Sequence, residues 1–263
     1  MEDNKAVFDY YENHYDEDGR SSRNSLEFIR TKEIISRYLN NNEFKIADIC
    51  GATGVYSYWL ALQGHEVHLL DLSNKHIEQA RQNKNKYNVE LASLTCGDAR
   101  KLPWSNNEFD MALLMGALYH LQEQQERLAC IKEVYRVLKP NGVAVFSFIS
   151  RYASLIDGMK YSLVNDPEFV TILDNNLVSG KHNNPNKKED YFTNAFFHTP
   201  NLICQEMQLG LFEDVNLFAI EGFASAIDTK VDLDVVLKYI KMTERVPELM
   251  GISSHILAVC IKK

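Results

Sequence analysis

No two of the five cysteines, Cys50, Cys96, Cys130, Cys204 and Cys260, stand in C-x-x-C spacing, and their number is odd. Such a set gives no disulfide framework and no cysteine-built zinc site, and it suits reduced thiols in a cytosol. Long apolar runs are missing too: none approaches the ~20 residues of a membrane span. The first twenty residues lack a positive flank followed by an apolar core, so no signal peptide is expected and the reading is cytoplasmic. Basic residues are in deficit, 28 Lys and Arg against 36 Asp and Glu, for a formal net charge of −8. An acidic surface repels phosphate backbones, which disfavours nucleic acid as a partner. Glycine is short at one telling place. The stretch ADICGATGVYS, Ala47 to Ser57, reads like a nucleotide-binding turn, yet it holds only Gly51 and Gly54 where dinucleotide folds carry three glycines. The G-K-[ST] pair of a P-loop is absent as well.

What is present is ordinary globular material, 45% hydrophobic and 24% charged over 263 residues, enough for one large domain or one domain with an insertion. From residue 45 to 150 short apolar segments alternate with amphipathic ones. Strands are predicted at Lys45–Cys50, Glu66–Asp71, Glu90–Cys96, Asp110–Met115 and Gly142–Ile149, and helices at Val55–Gln63, Ser73–Lys86 and Gln122–Leu138. Ser73 is placed to cap the second helix, and Pro140-Asn141-Gly142 to force a turn after the third. Strand and helix in strict alternation mean parallel strands with crossovers, a doubly wound α/β sheet. Four regions follow: residues 1–43 as an N-terminal helical cover with a helix over Ser25–Leu39, 44–150 as the α/β core, 151–200 as an inserted lid, and 201–263 as the return to the core. The return should hold a helix at Asn201–Leu209 and strands at Phe212–Ile220 and Ser254–Ile261. Within the insertion, VSGKHNNPNKKEDYF reads as a solvated loop. Ligands bind at the carboxyl ends of strands in such sheets, so an insertion after the fifth strand can sit over the pocket.

The turn at Gly51 and Gly54 lets a ligand approach the backbone, and the following helix offers free N–H groups. Asp48 would repel a pyrophosphate but suits an ammonium or sulfonium group. Asp71 ends the second strand, where its carboxylate can accept from both hydroxyls of a ribose; a helix-starting turn would use an aspartate there too. Asp98 follows the third strand and can accept from an adenine amino group, or simply make a turn. Three acids ending three successive strands converge on one rim.

These segments in order, ADICGATGVYS, VHLLDLS, CGDARKLP, FDMALLMGALYHL and EVYRVLKPNGVAVFS, resemble the class I S-adenosylmethionine-dependent methyltransferases over roughly Ile46 to Ile149. The resemblance implies a mostly parallel seven-stranded Rossmann-like sheet and S-adenosylmethionine as cofactor, with S-adenosylhomocysteine as product. Asp48, Gly51 and Gly54 would frame the methionine end, Asp71 and Leu72 the ribose, Asp98 and Ala99 the adenine, and Met115 and Gly116 the donor side. Cys50-Gly51-Ala52 departs from the usual glycine pattern.

MGALYHL stands where amine and amide methylases resemble one another in Asn/Asp-Pro-Pro-Tyr/Phe, and no Pro-Cys pair follows. LYHL resembles the segment found in many small-molecule methyltransferases, and that resemblance implies a small-molecule acceptor methylated on O or N. A sensor that binds the cofactor without catalysis, or an enzyme acting on protein or RNA, are the alternatives. His120 and His198 are the candidate general bases, although either could only pack. Tyr10, Tyr11, Tyr119 and Phe196 are the candidate acceptor contacts, and no metal is expected.

Overall fold

The computed structural model describes residues 25–40, 42–188, 191–227 and 230–263. Tyr10 and Tyr11 lie outside the described residues. The strands form where alternation places them: β1 (Lys45–Ile49), β2 (Glu66–Asp71), β3 (Ser93–Cys96), β4 (Phe109–Leu114) and β5 (Leu138–Ile149). Helices α1 (Leu26–Ser36), α2 (Val55–Ala61), α3 (Asn74–Tyr87), α4 (Ala117–His120) and α5 (Gln124–Val137) precede or join them. The Ser73 side chain accepts from the His76 N–H and so caps α3.

After β5 come α6 (Ala153–Lys160), α7 (Pro167–Ser179) and a two-stranded ribbon of β6 (Lys181–His182) and β7 (Ala195–Phe196). The chain then returns through α8 (Pro200–Leu209), β8 (Val215–Ala219), α9 (Leu233–Thr243), α10 (Pro247–Met250) and β9 (His255–Ile261). The seven-stranded sheet has the order β3-β2-β1-β4-β5-β9-β8. Strands β1 to β5 are parallel, and β9 runs antiparallel to both of its neighbours. This is the doubly wound architecture the alternation implies. Its central strands are covered on both faces: Ile46, Ala47, Ile49, Leu69, Leu70 and Met111 to Leu114 are fully buried, as parallel strands flanked by helices require.

Two local expectations change. The turn at Pro140-Asn141-Gly142 is a kink inside a longer β5. Leu138 pairs with Phe109, pairing resumes only at Val143 with Met111, and Asn141 takes φ 64° between them. The stretch expected as a solvated loop is pinned at its base. His182 and Asn184 are buried, and Asn184 donates to the carbonyls of Lys188 and Tyr191 while accepting from the Lys188 N–H. Polar side chains here serve the loop's own backbone, a use that composition does not distinguish from solvation.

Candidate active site

Because β9 is the only reversed strand of the large sheet among the described residues, the carboxyl ends of β1, β2, β4, β5 and β8 open on one rim, which the start of β9 joins. A cavity lies on this rim at the switch point between β1 and β4, where open α/β sheets bind ligands. The β1–α2 turn forms one wall through Cys50, Gly51, Ala52 and Thr53. Asp71, Leu72, Ser73 and His76 form the next, Asp98, Ala99 and Arg100 the third, and Met115, Gly116, Ala117, Tyr119 and His120 the fourth.

The turn reaches its tightness without the usual glycines. Cys50, Ala52 and Gly54 all have positive φ, at 60°, 47° and 84°. Only Gly54 adopts this region freely; an L side chain held there costs about 1–2 kcal/mol. Gly51 is needed for space instead, since a Cβ on it would stand 2.8 Å from the Asp48 carboxylate.

Asp48 itself is fully buried beneath the turn and is not among the cavity-lining residues, nor is Gly54. The Ser57 hydroxyl donates to its Oδ2 at 2.6 Å, while Oδ1 has no hydrogen-bond partner among the described residues. Burial pushes its carboxyl up to about 6, against the Ser57 hydrogen bond and with a smaller push from Asp71. Burial also pushes the Cys50 thiol well up, which keeps it protonated.

Asp71 faces the cavity but already serves the protein: Oδ2 accepts from the Ala52 N–H at 3.0 Å, and Oδ1 from the Ser73 N–H at 2.9 Å, with His76 Nδ1 at 3.1 Å. A carboxylate has about four acceptor positions, so room remains for a ligand hydroxyl. Asp98 is clamped. Arg100 Nε lies 3.0 Å from both of its oxygens, Nη2 donates to Oδ2 at 2.6 Å, and the Arg100 N–H donates to Oδ1 at 2.9 Å. Burial would raise this carboxyl, but the hydrogen bonds from Arg100 outweigh it and hold it below the usual range. Arg100 also bonds Glu126.

On the fourth wall Tyr119 and His120 both line the cavity, and Phe192 of the insertion stacks on His120 with ring centroids 6.0 Å apart. The segment after His120 is held from two directions. Gln122 Nε2 donates to Asn183 Oδ1 and to the Ala195 carbonyl, and Arg127 Nη1 donates to the carbonyls of Leu121 and Gln122.

The other expected residues go elsewhere. His198 is fully buried, with Nε2 3.2 Å from Glu206 Oε2 and its ring between Phe148 and Phe196. Burial lowers its pKa, and it does not line the cavity. Phe196 is also buried away from the cavity, under the Arg127 guanidinium 3.8 Å from its ring centroid. Both are corrected from base and acceptor contact to parts of a buried network. Their segment completes the packing of α5 and α8, whose Arg127 and Glu206 need partners once buried. None of the described cavity-lining residues comes from 151–200. The sequence reading missed Ser25, Glu27 and Phe28 of the α1 end, together with His76, Arg100 and Cys130. No local pattern marks the first three as site residues, because only packing brings α1 to the rim.

Residues 47–146 match the methyltransferase domain family. A demethylmenaquinone methyltransferase of Staphylococcus saprophyticus is 32% identical over 157 residues, 55% of this chain and 64% of that protein. A ubiquinone/menaquinone biosynthesis C-methyltransferase of a Ruegeria species is 33% identical over 101 residues, 37% of this chain and 39% of its own. The chain thus spans less than two thirds of these curated relatives. Among solved structures, a methyltransferase of Methanosarcina mazei superposes with TM-score 0.60 at 18% identity, covering 87% of this chain and 96% of that one. The 1,6-didemethyltoxoflavin-N1-methyltransferase of Burkholderia thailandensis, solved with its acceptor and S-adenosylhomocysteine, gives 0.57 at 12% identity over 99% and 87%. At such identities the structures establish the shared fold.

Proposed function

We propose that this chain, a member of the class I S-adenosylmethionine-dependent methyltransferase family, binds S-adenosylmethionine at the strand ends and transfers its methyl group to a small-molecule acceptor. One observation carries the reading: the β1–α2 turn, Asp71, Asp98-Ala99 and Met115-Gly116 face a single cavity within the matched segment. Asp71 takes the ribose, the strip Asp98-Ala99 lies along the adenine, and the turn over Asp48 meets the methionine end. An acidic surround favours a ligand carrying both an ammonium and a sulfonium.

In the transfer, a lone pair of the acceptor forms the new bond to the methyl carbon while the carbon–sulfur pair leaves with sulfur, giving S-adenosylhomocysteine. Alignment of acceptor, methyl and sulfur supplies up to ~7–11 kcal/mol of the acceleration. An O–H or N–H acceptor also loses a proton, and His120, at the donor side of the cavity, receives it. The insertion supports this wall from behind, through Phe192 stacked on His120.

The relatives favour a second acceptor class. Both act in quinone biosynthesis and one is named a C-methyltransferase, so an activated ring carbon of a quinol stands beside O and N. Incubation with methyl-labelled S-adenosylmethionine, a panel of phenols and amines, and a demethylated quinol separates the classes by mass spectrometry of the product. Tight cofactor binding with no labelled product from any acceptor would favour the sensor reading instead.

A further inference from the structure

Three residues far apart in sequence meet at the rim beside the cavity. Glu27 sits in the first turn of α1, Glu221 two residues beyond β8, and His255 at the start of β9. One ligand atom from each lies within 4.8 Å of the others. The topology explains the meeting: β8 ends and β9 begins at the rim, and the Ile220 N–H donates to the His255 carbonyl. The pair is built firmly. Glu221 Oε1 is 2.5 Å from His255 Nδ1, and Glu221 Oε2 accepts from the Ser253 hydroxyl and the His255 N–H. Their side chains are only 12% and 18% exposed. Glu27 comes from the other side and also lines the cavity. A third carboxylate, Asp157 of α6, is near enough to feel the charge of both His255 and Glu221.

We propose that Glu27, Glu221 and His255 form a binding site for a divalent first-row cation at the edge of the cavity. Two carboxylates and one imidazole, borne on α1, on the segment just after β8 and on β9, form a mixed oxygen and nitrogen donor set that suits Mn²⁺, Fe²⁺ or Zn²⁺ and is poor for Mg²⁺, which keeps to oxygen. Ligand bonds of ~2.1 Å at a right angle place donor atoms about 3 Å apart. The 4.8 Å spread therefore closes inward on the cation, while the short Glu221–His255 separation opens slightly. The site departs from the expectation of no metal. That expectation rested on local spacing, and these ligands are joined only by the fold.

The inference does not depend on methyl transfer, and its test is binding. Untagged, chelator-treated full-length protein is titrated with Mn²⁺, a probe with little affinity for the free thiols, and bound metal is counted by equilibrium dialysis. One Mn²⁺ per chain is expected, with a rise in thermal midpoint. Glu27→Gln should weaken binding by at least ~10-fold, and His255→Ala should abolish it. Glu27 is a partly exposed helix residue, so its variant keeps the test decisive if His255→Ala does not fold. Absence of stoichiometric Mn²⁺ binding overturns the proposal, as does binding that the Glu27 variant leaves unchanged.

Discussion

At the scale of single residues, two aspartates of the rim carry opposite burdens. Asp48 is buried with its carboxyl raised to about 6, chiefly by burial. A folded-state value above the unfolded 3.8 means that the native state holds the proton more tightly, so stability falls as pH rises from about 4 to about 6 and then stays level. Asp48→Asn removes the buried charge and keeps an acceptor for Ser57. Urea unfolding at pH 7.5 should find it more stable than wild type by up to ~3 kcal/mol, with the difference gone near pH 4. Asp71 is the reverse case, a carboxylate the fold uses. Asp71→Ala strips acceptors from the Ala52 and Ser73 N–H groups, so stability should fall by about 1–3 kcal/mol. Loss of the bonds to ribose hydroxyls should weaken S-adenosylhomocysteine binding by ~2–4 kcal/mol, roughly 30- to 1,000-fold by calorimetry. A fall in stability with unchanged affinity would make Asp71 a turn residue alone.

At the scale of elements, the β1–α2 turn holds strain that its sequence need not carry. Ala52 sits at φ 47°, where its methyl group makes the conformation costly. Ala52→Gly should therefore raise unfolding stability by ~0.5–1 kcal/mol, the relief of the left-handed penalty less the added freedom of the unfolded chain. Helices α5 and α8 are joined differently, by Arg127 and Glu206, both almost wholly buried, with His198 alongside. Burial would raise the Glu206 carboxyl, but His198 and Arg127 outweigh it and hold it at about 2. With a folded value below the unfolded 4.5, its contribution is complete above 4.5 and is lost as pH falls toward 2. Glu206→Gln leaves Arg127 uncompensated and should cost about 3–5 kcal/mol at pH 7, shrinking in acid. His198 is a spectator of chemistry in this arrangement, so any methyl transfer by the folded variant should keep its pH profile.

For the whole molecule, a ligand that binds only the native state must stabilise it. S-adenosylhomocysteine at ~100 times its dissociation constant should add ~2.7 kcal/mol. For a chain of 263 residues that raises the thermal midpoint by roughly 5–10 °C. Differential scanning calorimetry that finds no shift at millimolar ligand would remove the cofactor from the proposed function. Stabilisation by Mn²⁺ should persist with the cofactor site empty, because all three proposed ligands come from the protein itself.

By itself the sequence determined the parallel half of the fold and the order of the rim. Short apolar runs broken by amphipathic helical segments have few solutions, and β1 through β5 with their helices form one of them. Asp71, Asp98, Met115 and Gly116 were legible for the same reason: each ends a strand or opens the next turn, and all such ends in a parallel sheet face one way. Tertiary structure decided what sequence distance conceals. His120 faces the cavity while His198 is buried beside Glu206 and Phe196, a difference with no local signature. Glu27, Glu221 and His255 are neighbours because β9 slots in reverse between β5 and β8 while α1 packs across the rim. Local periodicity encodes the elements; their side-chain partners are set by burial, which the chain acquires only when distant elements close on one another.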